Sequence, residues 1–304
     1  MKSEKIVIGN QYPLNGLLTM PDEPMEKLPA AVLVHGSGAS NMDEKVMKLT
    51  PFRDIAEGLA ERGIAAVRYD KRTFAHKWKM VRLKKMTVWE ESIEDALLAA
   101  DLLRKDERID PERIFIIGHS MGAMLAPRID AEGGSFRGLI MMAGTPYRLE
   151  DIVIRQLGQA KGGNVLVSRF IDWEQKTYGR RFEGLYEMSD EEALRKKFAG
   201  NLNLYYFKEM GKKTADQYLL ESDKPVLIMQ GGKDFQVLAD VDFEGFKQLL
   251  AGRDNVTYRL YPQLNHIFVP GIYNDILKAS KEYSVEQHIG AEVLDDIADF
   301  IHKA

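Results

Sequence analysis

Two arrangements of hydrophobic and polar residues follow each other in turn over the first half of the chain. Short, almost wholly apolar runs that end in glycine or charged residues predict buried strands. Longer stretches between them are amphipathic: behind the capping box formed by Thr87 and Glu90, apolar residues recur at spacings of three and four, which is typical of a helix with one buried face. This alternation favours a parallel sheet with helices on both faces. The predicted strands are 29–35, 64–70, 113–118, 137–143, 224–232 and 255–261.

Other amphipathic stretches follow these strands and predict further helices. The first 16 residues are polar and contain no apolar segment of the length found in a signal peptide. No apolar run reaches 18 residues, so we expect a soluble, cytoplasmic protein without a membrane span. The further predicted helices are 42–62, 120–131, 239–251 and 285–302.

The alternation of strands and helices stops at Pro146 and resumes at residue 221. Residues 147–220 are charged, have a helical pattern and contain no convincing strand, yet they hold 11 of the 28 aromatic residues. We therefore predict an α/β core made of residues 1–146 and 221–304, with residues 147–220 as a helical lid inserted into it. Aromatic side chains from such a lid would form apolar walls above the site, and Trp173 is a candidate substrate contact.

Composition narrows the chemistry of the 304-residue chain. It contains no cysteine, which excludes thiolate metal sites and a cysteine nucleophile. The 42 basic and 46 acidic residues give a net charge of −4, which argues against nucleic acid as a partner. No spacing of His, Asp or Glu suggests a metal, and no glycine-rich loop suggests a nucleotide, so we expect no metal and no other cofactor.

Residues 118–122, Gly-His-Ser-Met-Gly, match the pattern G-x-S-x-G. The pattern lies directly between a predicted strand and a predicted helix, where a nucleophile turn must be. Small residues two positions before and after Ser120 let strand and helix approach closely, and the hydroxyl is held clear of the sheet. Ser120 is therefore the predicted nucleophile; the alternative is a serine that only caps the helix.

A serine hydroxyl needs a neighbouring base, and the chain has only six histidines. His266 follows the last predicted strand at its carboxyl end, the edge at which open α/β sheets bind ligands. The base in turn needs a carboxylate, which in the chain order Ser, Asp, His must lie between the two. Asp234, on a paired-glycine turn after a strand, fits best, whereas Asp240 and Asp242 are more typical of a helix N-terminus.

The oxyanion of an acyl-transfer intermediate needs two N–H donors. One is expected from Met121, the residue after the nucleophile. The second is expected from the loop His35-Gly-Ser-Gly38, and we predict the N–H of Ser37, with Gly38 as the nearest alternative. An ordinary glycine turn is the competing interpretation of this loop.

These residues carry a family resemblance. The chain resembles the α/β-hydrolase superfamily, and more closely the bacterial carboxylesterases grouped with serine aminopeptidase-like hydrolases. The resemblance covers about residues 30–300 outside 147–220 and implies a mostly parallel eight-stranded sheet flanked by helices, a triad of Ser120, Asp234 and His266, and a helical lid inserted after the sixth strand. The segments that carry it are HGSG, PFRDIA, RYDKRT, GHSMGA, GGKD and LNH.

The expected function is therefore a serine carboxylesterase that hydrolyses small to medium carboxylic esters through an acyl-enzyme. Two alternatives stay open: an amidase or aminopeptidase with the same triad, and a cinnamoyl or feruloyl esterase. An aminopeptidase needs a carboxylate for the substrate ammonium, and the lid offers several. We expect a small-molecule ester as the partner; a homodimer is one of the oligomeric states that the sequence allows. The candidate carboxylates are Glu174, Glu183, Glu187, Asp190, Glu191 and Glu192.

Overall fold

A computed structural model describes residues 1–23, 26–159, 176–200, 202–273 and 275–304. The strands are β1 Lys2–Ile8, β2 Leu14–Met20, β3 Leu28–Val34, β4 Ala65–Tyr69, β5 Ile109–His119, β6 Leu139–Met142, β7 Lys197–Ala199, β8 Leu202–Asn203, β9 Val226–Gly231 and β10 Val256–Tyr261. The helices are α1 Pro51–Glu61, α2 Arg72–Ala75, α3 Lys77–Met80, α4 Glu94–Lys105, α5 Met121–Ile129, α6 Leu149–Gln159, α7 over 176–182, α8 Asp190–Arg195, α9 Leu204–Met210, α10 Ala215–Leu220, α11 Glu244–Leu249, α12 Ala279–Glu282 and α13 Ala291–Lys303. Single π-helical turns cover Trp89–Ile93, Asp130–Gly134 and Ala239–Phe243.

Eight strands form one sheet in the order β1-β2-β4-β3-β5-β6-β9-β10. β2 is antiparallel to both of its neighbours. Every other pair of neighbouring strands in this sheet is parallel. The prediction of a mostly parallel eight-stranded sheet flanked by helices is confirmed. Because parallel strands end at the same edge, the turns after β3, β5, β9 and β10 all meet there.

The sheet is covered on both faces because side chains of its central strands alternate between two hydrophobic cores. On β3, Ala30 and Val32 join a core that includes residues of α4 and α5. Ala31 and Leu33 point to the other face, where they pack with residues of α1 and α13. Burial on both faces explains why the central strands are apolar runs rather than alternating patterns.

Several boundaries differ from the sequence prediction. Helix α1 begins at Pro51 rather than at residue 42, because a residue before proline disfavours the helical conformation and Pro51 suits the first helical turn. The last helix begins at Ala291, after Gly290, rather than at residue 285. Strands β1 and β2 were not predicted from the pattern of residues; β1 alternates exposed and half-buried positions at the sheet edge, and it pairs with β2.

The segment from residue 147 to 220, termed the insertion, lies between β6 and β9 in the chain. Its described part is mainly helical, as expected. It also contains the short antiparallel hairpin β7–β8, although no strand was predicted there. Strands of three and two residues are too short to produce a recognisable alternation.

Buried polar contacts hold the insertion on the core. Asp242, on the π-helical turn before α11, is fully buried. Its carboxylate accepts hydrogen bonds from the Thr145 hydroxyl at 2.7 Å and from the Leu238 amide at 2.7 Å. Arg155 of α6 completes the set with an ion pair to the same carboxylate. Asp242 therefore stabilises the fold, and it is not an alternative partner for His266.

No helix in the described ranges is long and apolar enough to cross a membrane. The cytoplasmic location expected from the sequence stays a prediction.

Substituting Asp242→Ala should lower the free energy of unfolding by about 3–5 kcal/mol, because it leaves the Arg155 guanidinium and two other donors without their acceptor. Urea unfolding followed by circular dichroism measures this loss. Asp240→Ala is the matched control, since Asp240 is exposed on the same turn. Equal stabilities of the two variants would contradict the role of Asp242.

Candidate active site

Ser120 occupies the sharp turn between β5 and α5. Its backbone lies at φ 54° and ψ −116°, a left-handed conformation that is strained for a residue with a side chain. The turn is possible because its flanking positions are glycines: a Cβ on Gly118 would overlap the Gly122 carbonyl, and a Cβ on Gly122 would overlap the carbonyl of Val34 on β3. The Ser120 amide donates to the Met142 carbonyl at 2.8 Å, which ties the turn to β6.

His266 lies on the turn after β10, and its ring is bonded to Asp234, on the turn after β9. The distance from His266 Nδ1 to Asp234 Oδ2 is 2.7 Å, and both side chains are almost completely buried. Within the described residues this is the only hydrogen bond of the ring, so Nε2 is not bonded to the Ser120 hydroxyl. In unliganded hydrolases that bond is often long and tightens with substrate. The structure thus brings the predicted acid and base together, at the same sheet edge as Ser120.

The Asp234 carboxylate is held by its own turn. Oδ1 accepts from the amides of Gln236 at 2.7 Å and Val237 at 2.9 Å. Oδ2 accepts from the Gln230 side chain at 3.0 Å in addition to His266. These four donors hold the carboxylate in one orientation. Gln230 was not singled out in the sequence, since a glutamine inside an apolar strand has no distinctive motif.

A buried carboxylate also fixes the loop that carries His266. Glu282 of α12 is fully buried and accepts from the Asn265 side chain at 2.6 Å. Its second oxygen accepts from the Tyr273 amide at 2.7 Å. Asn265 Oδ1 in turn accepts from the Ile267 amide at 3.0 Å. The residues on both sides of His266 are therefore tied to α12, a link that no sequence signal indicated.

Ser120 and His266 line a cavity of about 440 Å³. Four residues of α6, at positions 149, 152, 153 and 156, form one wall, and their spacing places them on one face of the helix. Met121 and Met124 of α5 and Val237 and Ile267 of the core provide further apolar surface.

The described aromatic side chains of the insertion do not line this cavity. They pack against one another instead, with the Phe198 ring centroid 4.7 Å from that of Phe207 and 5.3 Å from that of Phe182. Among the described residues, the apolar lining is mostly aliphatic, and Tyr283 of the core contributes the one phenol ring. Trp173, the predicted substrate contact, lies outside the described residues.

The predicted oxyanion donors face the same cavity. Ser37, on the turn after β3, and Met121, the first residue of α5, both line it. No described residue accepts a hydrogen bond from either amide. Free N–H groups at a helix start and on a glycine-rich turn are suited to an anion that forms between them.

A buried ion pair lies beside Ser120. Glu44 Oε2 lies 2.9 Å from Nδ1 of His119, the residue before the serine, and Glu44 Oε1 accepts from the Gly36 amide at 2.7 Å. His119 Nε2 lies 2.9 Å from the His266 carbonyl oxygen, so the pair connects three loops of the site. Sequence analysis placed Glu44 in a helix; the structure places it in the loop before α1, at φ 48°.

The Glu44–His119 pair shifts both pKa values toward the charged forms. Burial alone would lower the pKa of His119, but the Glu44 carboxylate outweighs burial and raises the pKa above its usual 6.5. Burial alone would raise the pKa of Glu44, but His119 lowers the pKa below 4.5. The nearby His35 contributes no charge at neutral pH, because burial lowers the pKa of His35 to about 4.

Within the described ranges, no group of three or more side chains of the types that hold metals comes together. The described carboxylates of the insertion do not line the cavity, and of all described carboxylates only Glu44 does. Glu174 lies outside the described residues. The other candidate carboxylates for the substrate ammonium are described and lie away from the cavity: Glu183, Glu187, Asp190, Glu191 and Glu192.

The sequence and the fold of the chain are similar to those of known proteins. The model of the alpha/beta hydrolase family matches residues 31–272. The chain is 34% identical over 302 residues to Esterase EstD of Thermotoga maritima, which covers 99% of this chain and 68% of that protein. Est1E of Butyrivibrio proteoclasticus has a similar structure, with a TM-score of 0.57 at 17% identity over 98% of both chains. The Pyrococcus furiosus esterase PF2001 gives 0.57 at 16% identity over 99% of this chain and 91% of its own.

Substituting Glu44→Gln should destabilise the protein by about 1–3 kcal/mol, with a pH dependence set by the pair. Because folding raises the pKa of His119, the stabilisation that its charge provides is fully present below about pH 6.5. This stabilisation is lost as the pH rises through the pKa of His119 in the folded state. The lowered pKa of Glu44 means that its contribution is lost only as the pH falls below about 4.5. The difference in unfolding free energy between wild type and Glu44→Gln should therefore be largest between about pH 4.5 and pH 6.5.

Urea unfolding at intervals from pH 4 to pH 9 tests this expectation. Glu61→Gln is the control, because Glu61 is exposed on α1. A stability difference for Glu44→Gln that stays constant from pH 5.5 to pH 9 would show that the pair does not exchange protons as described.

Proposed function

The chain belongs to the alpha/beta hydrolase family, and we propose that it is a serine carboxylesterase that hydrolyses small to medium carboxylic esters through an acyl-enzyme. One observation carries the proposal: Ser120 and His266 face a single cavity, with Asp234 bonded to the far side of the histidine ring. The esterase name of the 34% identical relative agrees with it.

In the first half of the reaction, Ser120 Oγ attacks the ester carbonyl carbon while its proton passes to His266 Nε2. The carbonyl electron pair moves onto oxygen, and the amides of Ser37 and Met121 stabilise the resulting anion. When this intermediate collapses, the bond to the alcohol oxygen breaks, and His266 returns the proton to the departing alcohol. The acyl group stays on Ser120.

In the second half, a water molecule takes the place of the alcohol. It gives a proton to His266 as it attacks the acyl carbon, and the same two amides hold the second oxyanion. Collapse breaks the bond to Ser120 Oγ, which recovers the proton from His266, and the carboxylic acid leaves. Asp234 keeps the histidine in the tautomer with Nε2 free and stabilises its positive charge during both halves.

The insertion acts as a cap in this proposal, and residues 1–146 and 221–304 act as the catalytic core. Helix α6 supplies one wall of the cavity, so it contacts whichever part of the ester extends away from Ser120. The wall is mostly aliphatic, which suits alkyl chains, and a cavity of about 440 Å³ suits small to medium substrates.

No described residue favours the aminopeptidase alternative. That activity needs a carboxylate aimed at the substrate ammonium, and Glu44, which lines the cavity, is already engaged by Gly36 and His119. The feruloyl esterase alternative differs only in the preferred acyl group, which turnover of methyl ferulate and of p-nitrophenyl esters measures.

Substituting Ser120→Ala should reduce ester hydrolysis by at least about 10³-fold, because it removes the nucleophile. Turnover of p-nitrophenyl esters from acetyl to octanoyl, and of methyl ferulate, measures the loss and the preferred acyl group. Ser284→Ala should keep full activity, because Ser284 is a half-buried serine outside the cavity whose hydroxyl donates to the Ser280 carbonyl and the Met47 sulfur. Failure of a fluorophosphonate probe to label wild type, or full activity of Ser120→Ala, would contradict the proposal.

Substituting Asp234→Asn should lower kcat by about 10⁴-fold with little change in KM, because the amide favours the wrong histidine tautomer. Steady-state kinetics on the best ester of the panel measures both constants. Asp240→Asn, on the exposed turn nearby, should behave as wild type. Comparable kcat values for the two variants would show that Asp234 is not the acid of the triad.

A further inference from the structure

Lys71 is a buried lysine next to the site, and none of the motif-based predictions gave it a role. It follows β4 by two residues, and its side chain is 2% exposed. Burying a lysine is costly unless the ammonium group is fully paired, so its two contacts are informative. Nζ donates to the Gly36 carbonyl at 2.7 Å and forms an ion pair with Glu91 Oε1 at 2.6 Å.

The first contact sets the direction of a proposed oxyanion donor. Gly36 and Ser37 are joined by a trans peptide, in which the carbonyl of one residue and the N–H of the next point in opposite directions. Lys71 holds the Gly36 carbonyl on one side, so the Ser37 N–H must point to the other. Gly36 lies against the nucleophile, since a Cβ built on it would be 3.1 Å from the Ser120 Cβ. The peptide plane that Lys71 holds is therefore directly beside the reacting serine.

The loop is also held from the other end. The Gly36 amide donates to Glu44 at 2.7 Å, so charged groups fix both peptide planes at Gly36. A cation on the carbonyl also polarises the peptide, which makes the N–H of the same peptide a stronger donor.

The second contact connects Lys71 to the other donor and to the insertion. Glu91 Oε2 accepts from the Tyr206 hydroxyl at 2.6 Å, and Tyr206 lies on α9 of the insertion. The same hydroxyl lies 3.5 Å from the sulfur of Met121, whose amide is the second proposed donor. All four side chains are buried. A continuous set of contacts therefore runs from Gly36 through Lys71, Glu91 and Tyr206 to Met121.

We propose that Lys71 is a positioning residue of the oxyanion hole: by holding the Gly36 carbonyl it aims the Ser37 N–H at the developing oxyanion. Glu91 of the core holds Lys71 in place, and Tyr206 of the insertion holds Glu91. This inference rests on the proposed esterase function and adds a residue that does not touch the substrate. Its effect is confined to states in which the carbonyl oxygen carries charge.

Substituting Lys71→Met should lower kcat by roughly ten- to a hundredfold, less than the loss of an entire donor, and leave KM within about twofold. An alkyl trifluoromethyl ketone supplies a second readout: Ser120 Oγ adds to its carbonyl carbon, the proton goes to His266, and the ketone oxygen becomes an oxyanion. Its affinity should fall by the same factor as kcat. Tyr206→Phe, which removes one support of Glu91, should lower both quantities by about two- to fivefold.

Two further variants separate positioning from general destabilisation. Lys71→Met with Glu91→Gln removes both charges, so that no unpaired carboxylate stays buried, and it should show the same kinetic defect at improved stability. Lys208→Met is the matched control: Lys208 is a buried lysine on α9 that pairs with Asp190, outside this set of contacts. It should lose stability and retain both kcat and ketone affinity.

An unchanged kcat and ketone affinity in Lys71→Met, or an equal loss of both in Lys208→Met, would overturn the role of Lys71. A rise in KM at constant kcat would also overturn it, because that pattern indicates lost ground-state binding. A wild-type protein without Ser120-dependent ester turnover would overturn the esterase function together with this inference. The two failures are therefore distinguishable.

Discussion

The steric contact between the Ser120 turn and β3 is the constraint on which the rest of the site depends. Without a side chain on Gly122, α5 can start directly against the Val34 carbonyl. This contact forces Ser120 into its left-handed conformation and brings the loop after β3 beside it. The nucleophile and both proposed oxyanion donors are thus placed by one packing event between two parallel strands and a helix.

Charged groups buried around this turn then orient what packing has brought together. Glu44 and His119 connect the loop before α1 to the loop of His266. Glu282 ties the His266 loop to α12. Each of these groups would be unfavourable on its own in the protein interior, and each is stable because its partners lie within hydrogen-bond distance. The loops that carry the site residues are therefore held in place by buried polar contacts between them.

Six of the eight strands of the sheet, and the three residues of the proposed triad, could be predicted from the sequence because these predictions depend on local patterns. Apolar runs and the turn G-x-S-x-G are readable within ten residues, and topology then places the ends of β5, β9 and β10 at one edge. Glu44, Lys71 and Glu282 were missed because their roles depend on partners in other loops: Lys71 and Gly36 are 35 positions apart. Gln230 was missed although its partner Asp234 is only 4 positions away, because a glutamine in an apolar strand has no distinctive motif. The edge hairpin β1–β2 was missed because half of its side chains face solvent.

The position of the insertion has a consequence for synthesis of the chain. Ser120 is made before the insertion, whereas Asp234 and His266 are made after it. At about 5–20 residues per second, a ribosome adds the proposed base roughly seven to thirty seconds after the proposed nucleophile. A nascent chain with its first six strands therefore carries the serine but neither the acid nor the base. In the proposed mechanism, hydrolysis therefore becomes possible only after β9 and β10 have joined the edge of the sheet.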